Sequence, residues 1–253
     1  MSQTLRQQQI VGWLRENQAS TVLDLANHFE VSDETIRRDL KSLADNGIVE
    51  RFHGGVRLND VGREAPFERR LQEQAVAKRR IAIAAAELIE DGATILLDNS
   101  SSSCFLAREL VAKRRRLTAI TFSVEVAGIL SSAGPGHRVI LPGGELRADD
   151  RTIVGASAID FASQFSPELF VMSVAAASPT RGCMDFDMFE KEFKRAMIPL
   201  ADKVMLLLDS SKYAKHGLIQ VCGWQAVNVF VSDAPPHEGI ALALDHAEVV
   251  IAP

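Results

Sequence analysis

The sequence has no excess of positive charge. Its 253 residues carry 28 Lys and Arg against 33 Asp and Glu, a formal net charge of −5. That excludes a histone-like or ribosomal-type protein, which holds nucleic acid by bulk charge. It leaves room for a small DNA-reading domain diluted by a larger acidic one. Cysteine is scarce as well. Cys104, Cys183 and Cys222 are odd in number and far apart, and no C-x-x-C occurs, which argues against a disulfide framework and against a structural zinc. The six histidines show no metal-ligand spacing, so neither a metal nor a cofactor is expected. No apolar run approaches the ~18–20 residues that cross a bilayer. Residues 1–9 are polar and lack an apolar signal core. The expectation is a cytoplasmic protein with no membrane partner. Internal repeats and low-complexity segments are missing too.

What is present is a chain with 47% apolar and 24% charged residues, enough to bury a sizeable core in one large domain or two smaller ones. Residues 1–58 hold seven Lys and Arg against eight Asp and Glu, so any case for DNA rests on local arrangement. Their pattern predicts three short helices and a hairpin. The first helix runs over 4–17 with Ile10, Val11 and Leu14 as its apolar stripe. Thr21-x-x-Asp24 has the form of a capping box for a second helix, with Leu25, Ala26 and Phe29 on its buried side. After a tight connection at Glu30-Val31, Ser32 can cap a third helix, with Asp33 and Glu34 in its first turn, where negative charge suits the helix dipole. Asn46-Gly47 is a stop signal. Residues 48–51 then read as a strand, His53-Gly54-Gly55 as a turn and 56–58 as a returning strand. Helices followed by a small hairpin make a winged helix-turn-helix.

On the third helix, Ile36, Leu40 and Leu43 define a buried face. Arg38, Glu34 and Lys41 fall about 140–200° away from Ile36, flanked by Arg37 and Thr35. Such a face fits a major groove, because Arg donates two bonds to guanine and Lys and Thr reach phosphates or base edges. Arg51, His53 and Arg57 on the hairpin complete the candidate DNA set. A solvated helix face is the alternative that charge alone leaves open.

From about residue 76 the pattern changes, and 59–75 reads as a linker with no clear period. A helix over 76–89 precedes strands at 94–97, 117–121, 138–141, 169–174, 203–208, 228–232 and 248–251. Helices at about 103–113, 124–132, 157–165, 187–201 and 238–246 separate most of them, and Pro199 ends or kinks its helix. Apolar strands alternating with helices imply a mainly parallel α/β sheet covered on both faces. Asp98 ends the first strand and runs into Asn99-Ser100-Ser101-Ser102-Ser103. A hydroxyl-rich loop there, opening a helix, can hold a phosphate; a Ser-rich helix cap is the equal alternative. Gly143 and Gly144 follow a strand, with Arg147 nearby to pair with an anion. Asp185, Asp187, Glu190 and Lys194 form a mixed-charge cluster that also reads as surface i, i+4 pairing. Asp209 and Lys212 follow a strongly apolar strand, where α/β proteins keep functional groups.

Arg6-x3-Ile10-x3-Leu14 and Ser32-x2-Thr35-Ile36-Arg37-Arg38-Asp39-Leu40 resemble the signature of the DeoR family of bacterial transcription regulators, and Arg51-Phe52-His53-Gly54-Gly55 resembles the wing that follows it. The likeness runs along nearly the whole chain. Pro142-Gly143-Gly144-Glu145-Leu146-Arg147 and Asp233-Ala234-Pro235-Pro236 are shared with the family's glycerol-3-phosphate and sulfosugar-pathway repressors. The resemblance implies a winged helix-turn-helix over 1–58 and an effector domain over 76–253 similar to sugar-phosphate isomerases. It implies a repressor of carbohydrate catabolic genes, held on operator DNA through residues 20–39 and controlled by a phosphorylated sugar, polyol or sugar-acid. A homo-oligomer, dimer or tetramer, is expected to pair heads on repeated half-sites. Ser100, Ser101 and Ser102 stand where the family has Gly and a hydroxyl pair, and Asp209 to Tyr213 matches its Asp-x-Ser/Thr-Lys-Phe/Tyr motif. Phe122, between Thr121 and Ser123, replaces the usual Asn, and Ser173 to Ala177 replaces a Gly-rich turn. These departures predict a less polar site, with Thr121 and Ser123 near the ligand and Phe122 packing on its ring or alkyl part. Cys104 and Cys183 are expected as buried small hydrophobes. The competing reading is a sugar-phosphate isomerase-like enzyme with an attached DNA-binding domain, using Asp98, Asp209 and Lys212 as acid–base groups. Against it, no His or Glu base stands in a recognisable catalytic motif, and the expectation is a protein that is not an enzyme.

Overall fold

Two units arise along the chain in the computed structural model, residues 1–63 and residues 64–253. The structure describes residues 3–17, 19–45, 49–52, 55–58, 65–113, 116–134, 136–213, 215 and 217–253. The predicted stop at Asn46-Gly47, the turn residues His53 and Gly54, and the first part of the expected linker lie outside the described residues.

The small unit has the order α1 (Gln3–Asn17), β1 (Ala19–Ser20), α2 (Val22–Phe29), α3 (Asp33–Asp45), β2 (Val49–Phe52) and β3 (Gly55–Leu58). The capping box forms as the sequence predicts. Thr21 Oγ1 accepts the Asp24 N–H at 3.1 Å, and Asp24 Oδ2 accepts the Thr21 N–H at 3.2 Å. Glu30 leaves α2 in the left-handed region at φ 52°, which folds the chain back so that Ser32 Oγ can accept the Thr35 N–H at 3.3 Å and start α3. Ile10, Leu14, Leu25, Ile36, Leu40, Leu43, Val49 and Val56 fill one core. β1, unforeseen from the sequence, pairs with β3 to complete a three-stranded antiparallel sheet. This approach explains Gly55. A Cβ there would come within 2.9 Å of the Ser20 carbonyl oxygen, too close for any other residue.

The larger unit opens with α4 (Phe67–Gln72), inside the segment expected to be linker. Phe67 is buried in its core, which draws the second half of that segment into this unit. Then follow α5 (Ala75–Glu87), β4 (Thr94–Leu97), α6 (Ser101–Ala112), β5 (Thr118–Thr121), α7 (Val124–Ser131), β6 (Arg138–Ile140), β7 (Glu145–Arg147), β8 (Thr152–Val154) and α8 (Ala156–Ala162). β9 (Leu169–Met172), β10 (Ala176–Ser178), β11 (Gly182–Asp185), α9 (Met188–Met197), β12 (Lys203–Leu207), β13 (Ile219–Cys222), β14 (Val229–Ser232), α10 (Glu238–Ala243) and β15 (Glu248–Ile251) complete it. A 3-10 turn at Ile198–Leu200, containing Pro199, ends α9.

Seven strands form the main sheet in the order β15-β14-β12-β9-β4-β5-β6, every pairing parallel. Successive residues of a strand face opposite sides. Accordingly Ile95 and Leu97 of β4 enter one apolar core and Leu96 the other. The chain leaves β4 towards β5 on one side and returns as β9 on the other, so the order reverses between β4 and β9. Open α/β sheets bind ligands in the crevice beyond the strand ends at such a reversal. β10, β11 and β13 form a small antiparallel sheet, and β7 and β8 a hairpin. No helix among the described residues is long and apolar enough to cross a membrane.

Candidate functional site

Each unit carries a candidate surface. On α3, Ile36, Leu40 and Leu43 are buried while Glu34, Arg37, Arg38 and Lys41 are exposed. Thr35 is half-buried, its hydroxyl 2.9 Å from that of Ser32. Asp39 belongs to the inner face. Its carboxylate is fully buried and accepts a 2.5 Å bond from Arg6 Nε of α1. The side of α3 opposite its core stripe therefore presents three cations and Glu34, as its periodicity predicts, and Asp33 is exposed at the helix start. Arg51 is exposed on β2. Arg57 is placed differently from the expected backbone clasp: its Nε and one terminal nitrogen donate to Glu50 Oε2 at 2.9 and 2.7 Å, and its guanidinium lies over the Phe52 ring. His53 lies outside the described residues.

In the larger unit, Asp98, Ser173 and Asp209 follow the C-terminal ends of three adjacent strands, β4, β9 and β12. Asp98 is fully buried and its two oxygens serve three donors: the Ser100 N–H at 3.0 Å, the Ser103 hydroxyl at 2.5 Å and the Ser173 N–H at 2.7 Å. It ties the β4 loop to the β9 loop across the reversal point. Ser100 caps α6 by accepting the Ser103 N–H at 3.1 Å. The N–H groups of Ser101 and Ser102 remain as first-turn donors that no intrahelical carbonyl serves.

Beside this loop is a small recess, partly open to solvent, lined by Arg70, Asn99, Ser100, Ser101, Ser173, Val174, Glu190, Lys194 and Lys212. Its walls are a web of charges. The Asn99 amide nitrogen lies within 3.0 Å of Asp150 Oδ2, Thr152 Oγ1 and Glu190 Oε1. Arg147 donates to both oxygens of Asp150 at 2.9 and 2.5 Å and to Glu190 at 2.9 Å. Its bond to Asp150 raises the Arg147 pKa further. Burial works against ionised Asp150, but Arg147 outweighs it and holds the carboxyl below its usual range. Burial likewise pushes Glu190 up, with Lys194 opposing. Lys194 bonds Asp185 at 2.6 Å and lies 3.5 Å from Glu190. Burial would lower its pKa, yet the two carboxylates prevail and raise it. Lys212 Nζ instead donates to neutral acceptors, the Ser173 hydroxyl at 3.1 Å and the Val174 carbonyl at 2.8 Å, with Asp209 at 4.0 Å.

Of the sequence-predicted ligand residues, Ser100, Ser101, Lys194 and Lys212 line the recess. Asp98, Arg147 and Asp185 support its walls, and Ser102 is buried in the first turn of α6. Asp209 is buried behind Lys212, whose N–H donates to its carbonyl oxygen. The remaining four lie off the lining. Thr121 Oγ1 accepts the Ser123 N–H, and Ser123 caps α7. Gly143 and Gly144 are exposed in the β6–β7 loop. Phe122 corrects the expectation of an apolar contact with ligand: it is fully buried, its ring 4.3 Å from that of Phe193, and the recess is polar. Residues that sequence reasoning did not single out are Arg70, Asn99, Ser173 and Asp150. Asn99 stands inside the serine loop, where adjacency to the strand end is a usable signal. Arg70 lies in a segment without period and carries none.

Residues 6–61 match the family described as the DeoR-like helix-turn-helix domain, and residues 73–234 match the DeoR C terminal sensor domain. The glycerol-3-phosphate regulon repressor of Escherichia coli (strain K12) is 32% identical over 247 residues, covering 97% of this chain and 97% of that protein. The HTH-type transcriptional repressor CsqR of the same organism is also 32% identical over 247 residues, covering 97% and 94%. Among solved structures, ribose 5 phosphate isomerase A from Neisseria gonorrhoeae aligns with a TM-score of 0.39 at 14% identity, over 55% of this chain and 53% of that one.

Proposed function

The chain belongs to the DeoR family of transcription regulators, and we propose that it represses carbohydrate catabolic genes until a phosphorylated sugar, polyol or sugar-acid occupies the recess of its larger unit. The observation that carries the DNA-reading half is the exposed Arg37, Arg38 and Lys41 face of α3, opposite the residues that pack its core. A helix so anchored enters a major groove with its cations outward. Arg38 reads a guanine edge, and Arg37, Lys41 and Arg51 meet phosphates. One such helix gives limited specificity, so a homo-oligomer pairs two heads on repeated half-sites.

For the effector, the chemistry of the recess favours an anion joined to hydroxyls. Lys212, Arg70 and the N–H group of Ser101 supply donors at one place. Asn99 and Glu190 supply hydrogen-bonding groups for hydroxyls beside them. A ligand with different affinity for two arrangements of the protein shifts it between them, and operator affinity follows. The geometry favours sensing over turnover. Asp98 already accepts three hydrogen bonds from the β4 and β9 loops, so its part is to position those loops. The protein acts in the cytoplasm, where both operator and metabolite are found.

The test is selection of duplexes from a random DNA library with the full chain, followed by titration of the enriched duplex complex with a panel of sugar phosphates, polyol phosphates and phosphorylated sugar acids. We expect a repeated half-site to be enriched and at least one compound to release it. Failure to enrich any duplex overturns the DNA reading. Enrichment with no response from any phosphorylated compound overturns the effector reading. Measured turnover of such a compound, abolished by Lys212→Ala, establishes the enzyme instead.

A further inference from the structure

Two of the three cysteines, distant in sequence, stand opposite each other in the fold. Cys183 of β11 and Cys222 of β13 are directly paired in the small antiparallel sheet. Directly opposed residues in such a pair have Cα atoms about 4.5–5.5 Å apart, inside the range of about 4.4–6.8 Å that a disulfide spans. The backbones approach closely here: a Cβ on Gly182 would come within 2.4 Å of the Cys222 carbonyl oxygen. The two thiols are near enough that each perturbs the other's titration.

We propose that Cys183 and Cys222 form a peroxide-oxidisable dithiol, which closes to a cross-strand disulfide while the protein stays folded. The two partners are unequal in the way the chemistry needs. Cys183 is fully buried, whereas Cys222 is partly exposed at the end of its strand. The neighbouring Cys183 thiol, with the charges of Lys194 and Arg195, favours the Cys222 thiolate, while Cys222 and burial hold Cys183 protonated. Cys222, the thiol that peroxide can reach, is the nucleophile. Its sulfur attacks one oxygen of hydrogen peroxide, the O–O bond breaks, and a sulfenic acid and one water result. The Cys183 sulfur then attacks the sulfenic sulfur, the S–O bond breaks, and a second water leaves with the thiol proton. Two thiols lose two electrons and two protons, and one peroxide is reduced to two waters. A thiol reductant reverses the step by exchange.

The pair lies next to the wall of the recess. Cys183 precedes Asp185 by two residues on β11, and Asp185 holds Lys194 at 2.6 Å. Oxidation therefore stiffens the strand that positions a lining cation. Cys104 is the internal control. It is buried in the apolar core on the other face of the main sheet, and burial pushes its thiol up to about 12.

The test is to treat the folded full-length protein with hydrogen peroxide, quench, denature in N-ethylmaleimide and map cysteine peptides by mass spectrometry. We expect two fewer alkylated cysteines, a Cys183–Cys222 linked peptide within one chain, full alkylation of Cys104, and complete reversal by dithiothreitol. In Cys183→Ser the oxidation stops at a Cys222 sulfenic acid that dimedone traps. In Cys222→Ser it leaves Cys183 unmodified. The wild-type map stands alone should either variant fail to fold. Three alkylatable cysteines after treatment, a link involving Cys104, or a link between two chains each overturns the proposal.

Discussion

Asp39 occupies the middle of a motif whose neighbours face outward, yet its role is internal. Its side chain is 1% exposed and pairs with Arg6, itself 11% exposed, at 2.5 Å. Asp39→Asn removes the negative charge and leaves the guanidinium in a nearly dry site. Breaking a buried pair in this way costs about 3–5 kcal/mol. A unit of this size is stable by about 3–9 kcal/mol in all, at roughly 0.05–0.15 kcal/mol per residue. The substitution therefore takes much of the stability of residues 1–63 and little from the larger unit. Calorimetry of the full chain is expected to show the transition of the small unit displaced to lower temperature and the other unchanged. Replacing both partners, Arg6→Met with Asp39→Leu, removes the stranded charge and restores most of the loss, since apolar pairs of similar volume often match or exceed buried ion pairs. The energies then fail to add, as a direct contact requires. The reasoning is refuted if Asp39→Asn shifts neither transition yet abolishes DNA binding. That result would make Asp39 a contact to DNA and place the reading face of α3 elsewhere.

Arg38→Ala, by contrast, is expected to leave both transitions in place and lose about 1–3 kcal/mol of specific binding to the selected duplex; Arg57→Ala should lose less, because Glu50 already engages that guanidinium. Lys78, whose ammonium donates to the carbonyl oxygens of Arg70 and Glu73, has its pKa lowered from 10.5 to about 8, by burial first and Lys212 next. Between about pH 8 and 10 the unfolded chain holds a proton that the folded one does not, so stability of the larger unit rises with pH there, by at most about 3 kcal/mol at 1.36 kcal/mol per unit. Lys78→Met should flatten that rise in urea titrations at fixed pH. Above pH 10 the sign reverses at Tyr213, which burial holds protonated up to about 12. Glu30 adopts φ 52°, a region that costs a non-glycine residue about 1 kcal/mol; Glu30→Gly should raise the melting temperature of the small unit without altering duplex affinity.

The seven parallel strands were legible because their apolar runs stand out between helices; the five inner ones are largely buried on both faces, while the edge strands β6 and β15 keep the apolar run though partly exposed. β4 and β15 agree with the sequence reading to the residue. β7, β8, β10, β11 and β13 were not, for they are antiparallel pieces outside the main sheet, and most mix polar, charged or small residues without an apolar run. Their order comes from neighbours instead of from a period of their own. The same limit applies at the recess. Ser100, Ser101, Lys194 and Lys212 were readable because position past a strand end, or a charge at helical spacing, marks them. Phe122 was misread because a residue just beyond a strand can turn to either side. Residues remote in sequence, the Phe193 ring on α9 among them, form the core into which it turns.

The two lysines of the recess look equivalent in sequence and are not. Lys194 is buried between Asp185 and Glu190, so its charge is already matched, and its removal takes the ammonium away from buried Asp185 while Glu190 keeps Arg147 and Asn99. Lys194→Ala is expected to destabilise the larger unit by about 3–5 kcal/mol, the cost of leaving a buried charge unpaired. Lys212 donates to a hydroxyl and a carbonyl, both neutral, with its nearest carboxylate oxygen 4.0 Å away. Its charge remains available to an incoming anion. Lys212→Ala should leave the melting temperature nearly unchanged and remove the stabilisation that inorganic phosphate gives the wild type, a gain that grows as RT ln(1 + [L]/Kd). Thermal melts across a phosphate series separate the two residues. If Lys212→Ala keeps the full phosphate-dependent shift while Lys194→Ala folds normally and loses it, the anion sits on the other lysine and the charge argument fails.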